Sequence, residues 1–328
     1  MTLIKAENLS KNFRIYQRGD GIKGYLKSFI KREYEEVEAV QDLDLEIEEG
    51  EMIGYIGSNG AGKSTTVKML TGILEPSSGK IEVNGRNPHK QRKKNAMDIG
   101  VVFGQKTQLW WDLPVRESFK LLKEIYEVNK EDYEERIDEF DEVLQLSDFW
   151  DQPVRKLSLG QKMRCELAAA FLHHPKIVYL DEPTIGLDVA VKERIRDFIK
   201  KMNRQENITV MLTTHDIGDI EDLCERVVVL DKGKKIYDGQ LDSLVNRFTS
   251  RRLIMDIRNG EKFDLEMDGI NEVERKDGHV EIVFDREIIS ASDLMREILS
   301  QYDVLDFQIK EPNIESVVKK VYNEGLED

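Results

Sequence analysis

The chain has 328 residues, 40% of them hydrophobic, and its 49 Lys and Arg stand against 64 Asp and Glu, a formal charge of −15. That length allows one sizeable core and a second, smaller one, while the acidic balance argues against broad electrostatic binding to nucleic acid and leaves room only for a local basic patch. Cys165 and Cys224 each sit in an apolar helical pattern and suggest neither a disulfide framework nor a thiolate metal site. With no basic-then-apolar leader and no apolar run near the roughly 18 residues of a span, a cytoplasmic, non-spanning protein is expected.

Between Tyr16 and Val37, residues Ile22, Tyr25, Leu26, Phe29 and Ile30 share one helical face and Lys23, Lys27, Lys31 and Arg32 occupy the rest. A basic amphipathic helix of this kind rests on an anionic membrane surface, packs on a partner, or docks on its own domain. Residues 42–48 alternate strictly, with Leu43, Leu45 and Ile47 between acidic residues, which predicts a half-buried antiparallel strand. The apolar strand of residues 51–56 follows, then a glycine-rich loop, then helical spacing at Val67 and Leu70. Strands are expected at 80–84 and 99–103, and the long, charged stretch 115–146 reads as helical, within a helical subdomain of about 106–172.

After Pro175, short apolar strands alternate with helices: 177–180, a helix from Val189 to about Met202, 209–213, a helix near 216–224, then 227–230. This pattern predicts a largely parallel sheet covered by helices. A polar junction at 248–252 opens a different unit, in which Val280, Ile282 and Phe284 alternate with charge and Ile314, Val317, Val318, Val321 and Tyr322 form one helical face. A small α/β domain is expected over 248–328, after a larger one over 1–247.

The glycine-rich loop carries the chemistry. Gly57, Ser58, Asn59, Gly60, Ala61, Gly62, Lys63 and Ser64, continued by Thr65 into the helix, fully match the phosphate-cradling pattern. Glycines let backbone N–H groups approach phosphate oxygens, Lys63 supplies a charge near the β- and γ-phosphates, and the Ser64 hydroxyl a ligand for Mg²⁺. The strand 177–180 ends in Asp181 and Glu182, where the first carboxylate can support Mg²⁺ and the second can face an attacking water. Taken alone, an apolar strand ending in two acids is also an ordinary strand end.

Leu157-Ser-Leu-Gly-Gln161 opens an amphipathic helix about twenty residues before that strand. With the phosphate loop and the acidic strand in this order, residues 2–247 resemble the ATP-binding cassette (ABC) ATPases, with Leu159 standing where the family's signature usually has glycine. The resemblance implies a P-loop NTPase cassette of α/β class with a mixed sheet, an antiparallel β part and a helical subdomain, interrupted by the insertion 17–37 and followed by a small accessory α/β domain. It implies Glu182 as general base, His215 on the γ-phosphate, Gln105 on Mg²⁺ or water, and Phe13 stacking on adenine. Gln108 is the alternative to Gln105, and Tyr16 the alternative to Phe13. Core packing is a rival role for either aromatic, as capping its own helix is for Ser158.

By the same resemblance, Ser158, Gly160 and Gln161 of a second copy would complete the ATP site, Asp188 would couple the two sites of the dimer, and this chain would bind ATP and Mg²⁺ as the energising cassette for separate transmembrane permease subunits. The Trp110–Pro114 region, the insertion and the single cassette with a tail are similar to efflux systems, which makes export the expectation, on the inner face of the cell membrane. A soluble cassette ATPase acting on ribosomes or DNA is the alternative. Against it stand the single cassette, the absence of coiled-coil or zinc-bearing insertions, and the acidic charge, so no nucleic-acid partner is expected.

Overall fold

A computed structural model describes residues 1–16, 34–104, 106–214, 216–246, 250–258, 263–276, 278–310 and 317. The basic amphipathic helix expected between Tyr16 and Val37 lies essentially outside the described residues, as do Gln105, His215 and, apart from the buried Val317, the C-terminal helical face. The chain forms two compact units, Met1–Asp238 and Gly239–Asp328.

The first unit opens with β1 (Thr2–Tyr16) and β2 (Tyr34–Glu48), then β3 (Met52–Gly57), α1 (Lys63–Leu70) and β4 (Ser78–Val83). β2, β1 and β4 form an antiparallel sheet in that order. Leu43, Leu45 and Ile47 are its buried face, as their alternation predicts. The strand begins eight residues earlier than that pattern, because Tyr34 already pairs with Tyr16. Residues 35–38 are exposed on both faces, so no alternation marks them.

Next come α2 (Arg92–Asp98), β5 (Ile99–Phe103), α3 (Val115–Ile125), α4 (Lys130–Leu144) and α5 (Leu159–Phe171). The stretch 115–146 is two helices, since Glu127 turns left-handed at φ 55° and Asn129 caps α4 by accepting from Asp132 N at 2.9 Å. Then β6 (Ile177–Asp181), α6 (Val189–Glu206), β7 (Thr209–Thr213), α7 (Ile217–Leu223), β8 (Arg226–Asp231) and β9 (Lys234–Gln240) complete a six-stranded sheet ordered β5-β6-β7-β3-β8-β9. The pairs from β5 through β8 are parallel. Their near-continuous apolar runs reflect burial on both faces.

One core joins the two sheets. Ile4, Leu9, Leu43, Leu45 and Ile47 pack with Tyr55 of β3 and with Val67, Met69 and Leu70 of α1. Each such buried side chain contributes roughly 1.5–3 kcal/mol of burial free energy, enough to fix α1 firmly beneath the loop that precedes it. In the second unit, α8 (Leu241–Asn246) precedes β10 (Ser250–Ile257), β11 (Ile270–Lys276), β12 (His279–Asp285), α9 (Ala291–Gln301) and β13 (Val304–Lys310). The strands form an antiparallel sheet ordered β11-β12-β10-β13, and Val280, Ile282 and Phe284 are buried with Leu294 and Ile298 of α9.

Candidate functional site

Parallel pairing sets the strand ends side by side. Asp181 at the end of β6 is in register with Thr213 at the end of β7, and Gly54 of β3 with Leu212, so the turns after β3, β6 and β7 emerge at one edge of the sheet. In open α/β sheets that edge is where ligands bind.

The loop 57–62 is a close-packed turn rather than a flexible tether. Gly62 caps α1 in a left-handed conformation, φ 104°, and a Cβ there would lie 2.4 Å from the carbonyl oxygen of Ala39 in β2. Gly60 also has positive φ, 84°, but a Cβ there would meet nothing within 4 Å. No side chain caps α1, so its first N–H groups and the positive end of its dipole face the loop and suit an anion. The turn after β8 backs the loop, with Gly233 N–H donating to Ala61 O at 3.1 Å.

Lys63 is buried, 8% exposed, and its Nζ donates to Gly57 O at 2.6 Å and Ser58 O at 3.1 Å. Burial lowers its pKa, and the nearby carboxylates of Glu182 and Asp181 partly oppose that shift. Ser64 Oγ donates to Asp181 Oδ2 at 3.2 Å, and Thr213 Oγ1 donates to Asp181 Oδ1. A hydroxyl and a carboxylate at this separation are hard oxygen donors that fit Mg²⁺, which takes few protein ligands and completes its shell with water and phosphate. Among the described residues there is no cluster of three or more His, Cys, Asp or Glu of the kind that cages a metal by itself.

Glu182 follows Asp181 directly and stands at φ 55°, a left-handed conformation that costs a non-glycine residue roughly 1–2 kcal/mol. Its N–H donates to Thr213 O at 2.8 Å, which holds the turn. Strain of this kind persists where surrounding structure over-determines it, commonly at working sites.

The remaining candidates fall elsewhere. Ser158 caps α5 in a reciprocal box: its Oγ accepts from Gln161 N at 3.2 Å and its N–H donates to Gln161 Oε1 at 2.9 Å. These two residues bond to each other, so Ser158 caps its own helix. A Cβ at Gly160 would touch Val191, and one at Gly186 would lie 3.3 Å from Leu159, which places the start of α5 against the turn leading into α6. Asp188 caps α6, accepting from Val191 N at 3.0 Å. Gln108 is tied to α5, its N–H to Glu166 Oε2 at 3.1 Å and its Nε2 to Glu166 O at 3.2 Å. Phe13 is 36% exposed on β1, with Lys11 Nζ 5.4 Å from its ring centroid, so it is not a core side chain.

The local sequence marks Thr213 only as part of the segment before His215 and carries no signal at Thr184 or Asp219. Thr213 holds Asp181, and that partnership is a product of strand register, which no local pattern encodes. Thr184, Asp219 and Thr214 share one buried hydrogen-bonded cluster.

Residues 40–185 match the family described as ABC transporter. The ABC transporter ATP-binding protein NatA of Bacillus subtilis is 35% identical over 208 residues, covering 63% of this chain and 84% of NatA. This chain belongs to the ABC transporter ATPase family. It is an ATPase subunit of that class. The linearmycin resistance ATP-binding protein LnrL of Bacillus subtilis is 29% identical over 316 residues, covering 91% of this chain and 98% of LnrL. The methionine import ATP-binding protein MetN of Geobacillus kaustophilus is 37% identical over 209 residues, and the chain spans 61% of its length. Among solved structures, a dimeric, post-hydrolysis ATP-binding cassette bound to ADP and Pi superposes with a TM-score of 0.60 at 27% identity, covering 73% of this chain and 98% of that one. No helix of the described residues is long and apolar enough to cross a membrane.

Proposed function

We propose that this ATPase drives export through separate transmembrane permease subunits, by ATP-dependent closure of two cassettes and reopening after hydrolysis. The observation that carries the catalytic part is the convergence of Lys63, Ser64, Asp181 and Glu182 at one strand edge, with Thr213 fixing the acidic pair.

In this reading the loop Gly57–Thr65 binds the triphosphate through backbone N–H groups, and Lys63 exchanges its two loop carbonyls for phosphate oxygens. Ser64 and Asp181, with Gln105, would hold Mg²⁺, whose charge offsets that of the phosphate oxygens. Glu182 accepts a proton from, or orients, the attacking water, and His215 donates to the γ-phosphate. Phe13 offers an exposed ring for adenine. Ser158, Gly160 and Gln161 of a second copy cover the γ-phosphate, with the free N–H groups of α5 suited to an anion, and Asp188 joins the two sites. In this reading the cassette spans 1–247 and the accessory domain 248–328, a boundary a few residues beyond that between the compact units Met1–Asp238 and Gly239–Asp328, and the protein works at the inner face of the membrane.

Glu182→Gln removes the base while leaving the strained backbone, whose hydrogen bond is made by its own N–H. ATP affinity should stay within a few-fold of wild type while turnover falls by about 10²–10⁴, the usual worth of a positioned base. Wild-type turnover in this variant would sink the assignment.

Export is supported by the likeness to LnrL, which runs through the tail as well as the cassette, and by the bacitracin transport ATP-binding protein BcrA of Bacillus licheniformis, 34% identical over 215 residues. The MetN likeness favours import as the second reading. Deleting the gene and growing cells against a panel of membrane-active antibiotics distinguishes the two. Sensitisation is expected for an exporter; unchanged growth with slowed uptake of a nutrient favours the importer.

A further inference from the structure

Asp219 lies in the first turn of α7 with no solvent exposure, yet it carries no part of the phosphate chemistry. Its carboxylate gathers three separate segments. Oδ1 accepts from Arg196 of α6, Nε at 2.7 Å and Nη2 at 2.6 Å. Oδ2 accepts from the hydroxyl of Thr184, two residues after Glu182, and from Thr214 Oγ1 at 3.2 Å, one residue before His215. Thr184 and Thr214 are themselves buried. Thr214 Oγ1 also accepts from Asp216 N at 2.9 Å, and Asp216 is bonded to Lys192 of α6.

A buried carboxylate is costly unless every lone pair finds a donor, and this one is fully engaged by groups that flank the proposed catalytic residues on both sides. We propose that Asp219 is a positioning residue for hydrolysis, pinning the turn after Glu182 to Thr214 just after β7 and to the helix capped by Asp188. This rests on the reading of Glu182 as base. The turn at Glu182 is strained, and Thr213 O holds its near end; the Asp219–Thr184 bond holds its far end. Misplacement of a reacting group by about 1 Å can cost on the order of 10² in rate, so a tie of this kind acts on turnover and not on the phosphate loop.

The obvious variant, Asp219→Ala, strands Arg196 and risks unfolding. Thr184→Val keeps the shape and deletes only the hydroxyl, and Thr184→Ser restores it. In the purified full chain, Thr184→Val should lower kcat fivefold or more with ATP affinity within twofold of wild type, and Thr184→Ser should recover most of the rate. A kcat loss smaller than fivefold overturns the proposal, as does a loss of ATP affinity and melting temperature in step with kcat, or a serine variant no faster than the valine one. Glu182→Gln in the same assay separates the two ideas: if it stays active the base assignment has failed, whereas if it is inactive and Thr184→Val is not impaired, only the positioning role has.

Discussion

Gly60 and Gly62 both turn the phosphate loop with positive φ, and substituting each by alanine separates backbone strain from collision. At Gly60, φ 84°, an added Cβ meets nothing within 4 Å, so the cost is conformational alone, roughly 1–2 kcal/mol. At about 1.4 kcal/mol per decade, that predicts ATP affinity weakened by about 5- to 30-fold if the strain falls on the bound loop. At Gly62, φ 104°, the Cβ would lie 2.4 Å from Ala39 O and 3.2 Å from a Val40 methyl. Ala39 belongs to β2, which is paired along its length to β1, so the strand cannot give way cheaply and the loop must move instead. A shift approaching 1 Å spoils the aim of the N–H groups and should weaken ATP by more than about 100-fold. Equilibrium titration of each purified variant with ATP and Mg²⁺, alongside melting curves, measures both effects. A Gly62→Ala variant that binds within fivefold of wild type, or a Gly60→Ala variant weaker than it, refutes the steric argument.

Two buried tyrosines of the central sheet should respond oppositely to loss of the hydroxyl. Tyr55 OH donates to Thr66 Oγ1 at 3.1 Å, so Tyr55→Phe should cost about 1 kcal/mol, whereas Tyr179 OH has no partner among the described residues and Tyr179→Phe should be neutral or stabilising by about 1 kcal/mol. Urea denaturation decides, and a Tyr179→Phe variant less stable than Tyr55→Phe contradicts the assignment. His173 stacks on Tyr126 with ring centroids 3.8 Å apart, its Nε2 lies 3.0 Å from Ile99 O, and burial pushes its pKa down to about 4. Because the folded value lies below the ordinary 6.5, the unfolded chain binds the extra proton first; stability from this group is complete above about pH 6.5 and is lost as pH falls toward 4. The ring-proton NMR signal of His173 should not titrate above about pH 5, and a midpoint near 6.5 would rule this out.

Local signals were enough to place the phosphate loop, because Gly57 to Ser64 combines residue types that only a turn between strand and helix needs. They also placed the buried face of Leu43, Leu45 and Ile47, the strands 99–103 and 177–180, and the cap at Ser158, each governed by neighbours a few positions away. Patterns failed where neither face is buried, as at residues 35–38 of β2, and where two helices share one charged stretch, as between Ile125 and Lys130. What only the tertiary structure decided is which distant residues meet. Parallel register brings Thr213 onto Asp181 from 32 positions away, and α1 carries Ser64 to the same carboxylate from 117 positions away. The packing of α6 against α7 delivers Arg196 to Asp219, and the segments after β6 and β7 bring Thr184 and Thr214 to the same carboxylate. Sequence fixes residue type and local conformation through short-range sterics and periodicity, whereas these partnerships depend on which strands and helices pack side by side, a property of the whole core.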